Sequence, residues 1–347
     1  MMSEPRRFVP GARESLIERA AGGLDVGRVA MPLQPLPAPR RAAAPLEPAT
    51  PVFAAPIVAA IPASPAARPG AVPAEAPFAD PRSEPAASPA APFVRPLGDG
   101  QLHPIDRALL REQGFVEPDG AVSGLLEEFR IIKRHLLLAA AEARASADRG
   151  EGHAHAQRIL VASAHPGEGK TFCAVNLALS IAAEKDHEVL LVDADFAKPS
   201  VLSTLGLAGG PGLMDALADP AVHVEDCVMR TDVQGLMVLP AGNVTGSDTE
   251  FLASARTEDV LDRLTAGAPH RIVIFDSPPV LSASPAAELA MHVGQTIMVV
   301  RADSTGEAAL RDALGILSGC DDIRLLLNCT KFSPTGRAFG SYYGYGQ

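Results

Sequence analysis

Residues 159–200 constrain the fold of this chain more than any other stretch. They read as an apolar strand, a glycine-rich loop, a helix, and a second apolar strand that ends in Asp193 and Asp195. A helix that connects two such strands is typical of a parallel α/β unit with a right-handed crossover. The chain must therefore build its core around this unit.

The loop of this unit, A-H-P-G-E-G-K-T, fits a phosphate-binding pattern, with Ala164 at the usual first-glycine position. Gly167 and Gly169 allow consecutive backbone N–H groups to point at phosphate oxygens, and Lys170 adds a mobile positive charge. Thr171 offers a hydroxyl group to Mg²⁺, and a helix that starts here presents its positive end to an anion. The loop therefore predicts binding of a nucleotide with Mg²⁺.

Three carboxylates follow the apolar strands of this region. Asp193 and Asp195 come at the end of the strand over 188–192, and Asp276 follows the strand over 271–275. Ligands of parallel α/β sheets bind at the carboxyl ends of the strands, so the three side chains are expected beside the loop, as a Mg²⁺ site requires. Each aspartate taken alone is also open to a plainer interpretation, the capping of a following helix or turn.

The rest of the domain continues the alternation of strands and helices. Further strands are predicted at 236–239, 295–301 and 323–329, and further helices near 212–217, 248–264, 286–292 and 307–317. This order predicts an α/β fold with a doubly wound, mainly parallel sheet. We assign this P-loop domain to residues 101–332.

The flanking segments have a different composition. Of the 32 prolines, 18 lie between residues 32 and 97, so residues 31–100 are predicted to be a disordered Pro/Ala-rich linker. A short helical segment is expected within residues 1–30, and a flexible Gly/Tyr-rich tail over 333–347. The sequence shows no signal peptide and no span of about 20 apolar residues, which favours a cytoplasmic protein.

A long helix is predicted over 123–145, before the first strand of the domain. Leu125, Phe129, Ile132 and Leu136 recur at helical spacing and form one apolar stripe. The pattern by itself indicates a docked helix with a solvated charged face.

The three tyrosines of the chain, Tyr342, Tyr343 and Tyr345, all lie in the segment G-S-Y-Y-G-Y-G-Q. Tyrosine is usually used in cores and interfaces, where its ring buries a large area. Its placement between glycines instead indicates a flexible segment with accessible phenol groups. A tail with an adhesive role or with no role is the alternative.

Charge and cysteine content exclude several other classes of protein. The net charge is −11 and no basic stripe is present, which argues against a nucleic-acid partner. The four cysteines lack metal-ligand spacing and read as ordinary thiols. The histidine pair in G-H-A-H is more typical of a solvent-exposed turn than of a metal site.

The motifs P-G-E-G-K-T, L-L-V-D-A-D-F-A-K-P and I-V-I-F-D-S-P-P together resemble the bacterial tyrosine kinases of exopolysaccharide and capsule export. The resemblance covers roughly residues 100–347 and is closest to the soluble autokinases of exosortase-linked polysaccharide loci. It implies a protein-tyrosine autokinase that transfers the γ-phosphate of ATP to the tail tyrosines and regulates exopolysaccharide chain length or export.

The resemblance also implies roles for individual residues. Lys170 would stabilise phosphate charge, and Asp193 would orient or deprotonate the incoming phenol. Asp195 and Asp276 would hold Mg²⁺ together with Thr171. The remaining nucleotide contacts would come from Gly167, Glu168, Gly169, Phe172 and Asn328.

Relatives of this type carry an E-x-x-R-x-x-R helix that builds a ring of subunits, and Glu127, Arg130 and Lys133 stand at those positions here. The implied partners are a membrane chain-length-determinant (polysaccharide co-polymerase) protein as activator, which would recruit the chain to the inner face of the membrane, and a cognate tyrosine phosphatase. The alternative function is a nucleotide-dependent ATPase switch or scaffold of the partition or septum-site type. His165 stands where those ATPases have a signature lysine, which argues against that branch.

Overall fold

A computed structural model describes residues 58–61, 95–98, 100–149, 155–243 and 247–330. These residues belong to one compact unit that begins at Pro51. The predicted helical segment in residues 1–30 and the tail with Tyr342, Tyr343 and Tyr345 lie outside the described residues. Among the residues described, no helix is both long enough and apolar enough to cross a bilayer.

The described residues form nine strands. They are β1 Val58–Ile61, β2 Leu102–His103, β3 Arg158–Ser163, β4 Glu188–Asp193, β5 Met229–Thr231, β6 Leu236–Leu239, β7 Arg271–Asp276, β8 Gln295–Arg301 and β9 Ile323–Asn328.

They also form nine α-helices and a 3₁₀ turn at Val224–Cys227. The helices are α1 Arg107–Glu112, α2 Gly124–Asp148, α3 Lys170–Ala182, α4 Val201–Leu205, α5 Leu213–Ala218, α6 Asp248–Leu252, α7 Ala255–Thr265, α8 Pro285–Ala290 and α9 Glu307–Ile316.

All nine strands join one sheet in the order β1-β9-β8-β3-β7-β4-β6-β5-β2. The strands from β9 to β6 in this order pair in parallel, whereas β1 and β5 pair antiparallel with β9 and β6. The prediction of a doubly wound, mainly parallel sheet is confirmed. Because β3, β7 and β4 are neighbours, their carboxyl ends meet at one edge of the sheet.

Helices cover both faces of the sheet, which explains why the central strands are continuous apolar runs. In β7, Ile272 and Ile274 pack in the cluster that contains the helix α3, while Val273 and Phe275 pack in the cluster on the opposite face. The predicted stripe of α2 is confirmed, since Phe129, Ile132 and Leu136 are buried against the α3 side. Two apolar layers thus hold the sheet rigidly beneath the loops that follow its strands.

The predicted helix over 248–264 is wrong as a single element. It is divided into α6 and α7, which meet at Ala253 and Ser254. The Ser254 hydroxyl donates to the carbonyl of Phe251, and the Ser254 carbonyl accepts from the N–H of Thr257. Serine competes for backbone groups in this way and favours helix boundaries over helix interiors.

The Pro/Ala-rich segment contributes one element to the fold. Val58–Ile61 lies antiparallel to β9 and occupies the edge of the sheet. Both an extended linker and a strand use extended backbone, so composition predicts the local conformation but not the pairing with β9.

Candidate nucleotide and phosphoryl-transfer site

The loop between β3 and α3 has the backbone conformation that a phosphate-binding loop requires. Gly167 and Gly169 have φ values of 78° and 98°, in the left-handed region that favours glycine. Gly169 is the N-cap of α3, and it has no side chain to satisfy the first N–H groups of that helix. These groups and the positive end of α3 remain oriented toward an anion, as expected from the sequence.

The loop is braced by the end of the last strand. The Asn328 side chain donates through Nδ2 to the carbonyl oxygen of Glu168 over 2.9 Å, and its Oδ1 accepts from the N–H of Cys329 over 2.9 Å. A Cβ added to Gly169 would collide with the Asn328 amide. Asn328 thus uses both of its polar atoms within the chain. Its predicted contact with the base stays a prediction.

The end of β8 braces the loop from a second direction. Arg301 donates through Nη1 to the carbonyl oxygen of Gly167 over 2.9 Å. The buried Glu168 carboxylate accepts from the His165 N–H over 2.9 Å and from the Thr305 hydroxyl. Glu168 is therefore an internal brace of the loop, and its predicted contact with the nucleotide stays a prediction.

Thr171 and Asp276 lie in contact at the centre of the site. The Thr171 hydroxyl donates to Asp276 Oδ2 over 2.6 Å, while Asp276 Oδ1 is buried without a hydrogen-bond partner among the described residues. Burial raises the pKa of Asp276 to about 7, although Lys170 and the Thr171 hydroxyl act in the opposite direction. A buried oxygen with no partner costs free energy unless a ligand satisfies it.

Lys170 and Asp195 form an ion pair beside this carboxylate. Lys170 Nζ lies 3.0 Å from Asp195 Oδ2, and both side chains are largely buried. Asp195 Oδ1 also accepts from the N–H of Lys198 over 3.1 Å. The ammonium group of Lys170 is thus held beside the loop by Asp195.

Asp193 is engaged in a different way. Its Oδ2 accepts from the N–H groups of Ser200 and Val201, each over 2.9 Å, and its Oδ1 accepts from the N–H of Asp195 over 3.3 Å. Burial raises the pKa of Asp193 to about 6, and the three backbone N–H groups limit that rise. The carboxylate therefore caps α4, as the plainer interpretation expects. A carboxylate has about four acceptor positions, so Oδ1 retains one for a further donor.

The donor set at this edge fits Mg²⁺. Among the described residues, no group of three or more His, Cys, Asp or Glu side chains could hold a metal alone. Mg²⁺ in phosphoryl-transfer sites usually needs only one or two carboxylates, since waters and substrate phosphates complete its shell. The unpartnered Oδ1 of Asp276 and the adjacent Thr171 hydroxyl provide protein oxygens of this kind.

Phe172 follows the loop and packs against aromatic neighbours. Its ring centroid lies 4.9 Å from that of Phe115 and 6.4 Å from that of Phe129 on α2. The nucleotide-binding role predicted for Phe172 stays a prediction, and the structure adds a packing role between α3 and α2.

The charged residues of α2 do not share one environment. Arg130 and Glu127 form an ion pair with each other, and Arg130 is exposed. Lys133 is buried, and its Nζ contacts the Ser180 carbonyl oxygen at 2.9 Å and Glu184 Oε1 at 2.6 Å. The Lys133 ammonium is thus used within the chain, at the end of α3, and the predicted role of Lys133 in a ring of subunits stays a prediction.

Sequence reasoning missed three residues of the site. Arg301 and Thr305 brace the loop, and Ser200 brings its hydroxyl to 3.3 Å from that of Thr171. Arg301 ends β8, Thr305 follows it and Ser200 follows β4, so a search of strand ends for polar residues could have found them. The four cysteines are free thiols, as expected, and burial raises the pKa of Cys173 and Cys227.

Parts of this chain are similar to known proteins. An AAA domain matches residues 156–310. The chain is 29% identical to the tyrosine-protein kinase YwqD of Bacillus subtilis (strain 168) over 221 residues, which are 63% of this chain and 85% of YwqD. It is 31% identical to EpsB of Ralstonia nicotianae over 188 residues, which are 54% of this chain and only 24% of EpsB.

A solved structure shares the fold. The crystal structure of the chimerical protein CapA2B2 matches with a TM-score of 0.51 and 23% sequence identity, and the match covers 67% of this chain and 94% of that one. The arrangement of strands and helices around the glycine-rich loop is thus a known one.

Proposed function

We propose that this chain, a P-loop protein related to the bacterial tyrosine kinases, transfers the γ-phosphoryl group of ATP to tyrosine hydroxyls. The observation that carries the proposal is the meeting of Lys170 and Thr171 with Asp195 and Asp276 at one edge of the sheet. The likeness to YwqD, a protein named as a tyrosine kinase, favours tyrosine as the acceptor.

The loop and its neighbours would bind and orient the triphosphate. The backbone N–H groups after Gly167 and the ammonium of Lys170 would neutralise charge on the phosphates, since catalysis of this transfer depends mainly on positioning and electrostatics. Thr171, Asp276 and Asp195 would hold Mg²⁺, directly or through water. When bound, Mg²⁺ supplies positive charge to the β- and γ-phosphate oxygens.

Asp193 would receive or orient the phenol. A phenol with a pKa of about 10 is mostly protonated at neutral pH, so an acceptor for its proton assists the attack. In the proposed step the phenol oxygen forms a bond to the γ-phosphorus and the bond from that phosphorus to the bridging oxygen of ADP breaks. The phenol proton passes to Asp193 Oδ1, the oxygen with an unused acceptor position.

The proposed acceptors are Tyr342, Tyr343 and Tyr345, and the proposed context is control of exopolysaccharide chain length or export. A membrane chain-length-determinant protein would act as activator and would recruit the chain to the membrane. A ring of subunits and a tyrosine phosphatase complete the proposed set of partners. Each phosphate would add almost two negative charges to the tail, which gives a means of reversing assembly.

One observation favours a second function, a nucleotide-dependent ATPase switch. Asp193 already accepts hydrogen bonds from three backbone N–H groups, two of them at the start of α4. Through these bonds α4 would respond to a nucleotide bound beside Asp193. In that case water would replace the phenol as the phosphoryl acceptor.

Detection of phosphotyrosine after incubation with Mg-ATP separates the two functions. The full-length chain should acquire phosphotyrosine, and Lys170→Met should not. The triple substitution Tyr342→Phe, Tyr343→Phe and Tyr345→Phe should remove the signal but preserve nucleotide binding. ADP release without phosphotyrosine, in the presence of the activator, would support the ATPase switch instead.

A further inference from the structure

A cavity that the proposed reaction does not use lies at the amino ends of β4 and β7, at the opposite edge of the sheet from the nucleotide site. Its volume is about 370 Å³, within the range of roughly 300–1,000 Å³ that small-ligand sites have. The last part of α2 forms one side of it, and the segments before β3, β4 and β7 form the others. The cavity therefore has the size of a site for a small molecule.

The floor of the cavity is apolar. Ala140 on α2 and Ile272 on β7 are buried, and both belong to the core cluster that contains α3. Leu137 is half-buried, packs against the same cluster and also lines the cavity. Because the floor is part of a packed core, it offers a fixed surface to the apolar part of a ligand.

The rim of the cavity carries hydrogen-bond donors. Arg144, His187 and His270 are the titratable side chains among the described residues that line it, and no carboxylate lines it with them. Arg144 donates through Nη1 to the carbonyl oxygen of Pro269, and the rings of His187 and His270 lie with their centroids 6.4 Å apart. A guanidinium group has five N–H donors, and an imidazole has at least one. The rim therefore favours an anion.

The acidic side chains of the segment before β4 are used elsewhere. Asp186 and Glu188 line an adjoining cavity, and Glu188 Oε2 lies 3.1 Å from Arg271 Nη2. Glu184 Oε1 lies 2.6 Å from Lys133 Nζ. The positive charge of the rim is thus not neutralised by a carboxylate within the same cavity.

The segment before β7 is held in place by bonds to its neighbours. Gln157 donates through Nε2 to the carbonyl oxygens of Ala268 and Arg271 over 2.8 and 2.7 Å. The N–H of Glu188 donates to the His270 carbonyl oxygen over 3.2 Å. The cavity is therefore a formed surface, as most small-ligand sites are.

We propose that this cavity binds a small amphipathic anion, an organic phosphate or carboxylate that carries an apolar chain or ring. The head group would accept hydrogen bonds from Arg144, His187 and His270, and the apolar part would lie on the floor. Phosphoryl transfer requires no second anion at this edge, so the site is separate from the proposed function. Free metabolites and lipid head groups both have this chemistry.

Hexyl phosphate is the probe that tests the site, because it joins one phosphate to a short apolar chain. Inorganic phosphate and 1-hexanol are the controls, and each lacks one of these two parts. Isothermal titration calorimetry is carried out on the full-length chain with saturating Mg-ADP. The nucleotide occupies the phosphate-binding loop, so the heat of binding reports on other anion sites.

Two variants alter the cavity in different ways. Arg144→Gln removes the positive charge but keeps an amide that can donate to the Pro269 carbonyl. Its matched control is Arg134→Gln, since Arg134 is exposed on the same helix and does not line the cavity. Ala141→Trp keeps Arg144 and places an indole ring at the mouth, because Ala141 is exposed and lines the cavity.

We expect the parent chain to bind hexyl phosphate at least about tenfold more tightly than either control compound. Arg144→Gln and Ala141→Trp should each weaken this binding by about tenfold, and Arg134→Gln should leave it unchanged. Equal affinity for hexyl phosphate in the parent and in both cavity variants would overturn the assignment. Equal binding of hexyl phosphate and inorganic phosphate, or of hexyl phosphate and 1-hexanol, would also overturn it.

Vesicles that contain phosphatidic acid distinguish the two sources of the ligand. Cosedimentation of the parent chain with these vesicles, reduced by Arg144→Gln and absent with phosphatidylcholine alone, would assign the site to a lipid head group. Binding of hexyl phosphate without cosedimentation would assign it to a free metabolite. Both readouts are independent of phosphotyrosine formation, so a failure of the proposed function would leave them unchanged.

Discussion

The hydroxyl of Thr171 and the carboxylate of Asp276 are joined by a hydrogen bond of 2.6 Å, although 105 residues separate them in the sequence. Thr171 lies in the first turn of α3, the helix after β3, and Asp276 ends the adjacent strand β7. The sheet register therefore fixes their distance. The second oxygen of Asp276 is left buried without a partner among the described residues, which gives the site its capacity for a cation.

Asp276→Asn should weaken binding of Mg-ADP by on the order of 10- to 100-fold, because a neutral amide is a poor ligand for Mg²⁺. Burial raises the pKa of Asp276 to about 7. Metal binding requires the ionised form, so the Mg-ADP affinity of the parent chain should increase as the pH rises from 6 to 8. Titration calorimetry at several pH values checks both effects, with ADP in EDTA as the control. An equally steep pH profile in the variant would contradict the assignment to Asp276.

Gly167→Ala and Gly169→Ala form a matched pair that measures the loop geometry. Both positions have positive φ, which costs alanine about 1–2 kcal/mol. Only at Gly169 would the new Cβ also collide with Asn328. Gly169→Ala should therefore reduce nucleotide affinity more than Gly167→Ala, and Asn328→Ala should partly rescue it. Isothermal titration calorimetry measures the ADP affinity of four chains: the parent, Gly167→Ala, Gly169→Ala, and Gly169→Ala combined with Asn328→Ala. Equal losses at the two glycines would show that the Asn328 contact does not limit the loop.

Glu128→Gln should stabilise the chain at alkaline pH. Glu128 is buried on α2 with no ion pair or hydrogen bond to the described residues, and burial raises its pKa to about 7. A raised carboxyl pKa gives stability that is fully present below the unfolded-state pKa and is lost as the pH rises through about 7. The free energy of unfolding of the variant should exceed that of the parent by about 1–3 kcal/mol at pH 8 and by almost nothing at pH 4. Urea unfolding at both pH values measures the difference. A constant difference would exclude ionisation as its cause.

Lys133→Met should destabilise the folded chain by about 1–3 kcal/mol, because it leaves the Ser180 carbonyl and Glu184 without their ammonium partner. The neighbouring Arg134 is exposed, so Arg134→Met is the control and should have little effect. Thermal unfolding at low protein concentration separates this effect from assembly. If Lys133→Met lowers thermal stability only at concentrations at which the chain self-associates, Lys133 would instead contribute to a subunit interface.

The sequence predicts most of the sheet and the chemistry of its central edge, because these depend on local pattern. An apolar run of five or six residues that ends in aspartate indicates a buried strand and a polar group at its carboxyl end. Asp195 and Asp276 are predicted in this way, whereas Lys170 and Thr171 are predicted from the glycine-rich loop that follows the first strand. Asp193 follows the same pattern, but its use as a cap for α4 depends on the path of the chain through Ser200.

Contacts across the sheet could not be predicted from one sequence. Arg301 lies 134 residues from Gly167, and no periodicity connects the two. Lys133 illustrates the same limit: its charge predicts a surface position, and only the packing of α2 on α3 shows that the side chain ends at the Ser180 carbonyl. Residues that support the site from distant strands can therefore be identified only from the three-dimensional structure.

The antiparallel pairing of Val58–Ile61 with β9 matters for how this protein is handled. A shortened chain that starts at residue 100 would lose that strand and present the outer N–H and C=O groups of β9 to solvent. Unpaired strand edges recruit other strands, so such a chain would form stacks through β9. Oligomers of the shortened chain would then arise from the exposed edge of β9 and not from the helix α2. Ring formation is therefore best measured on a chain that keeps the proline-rich segment with Val58–Ile61.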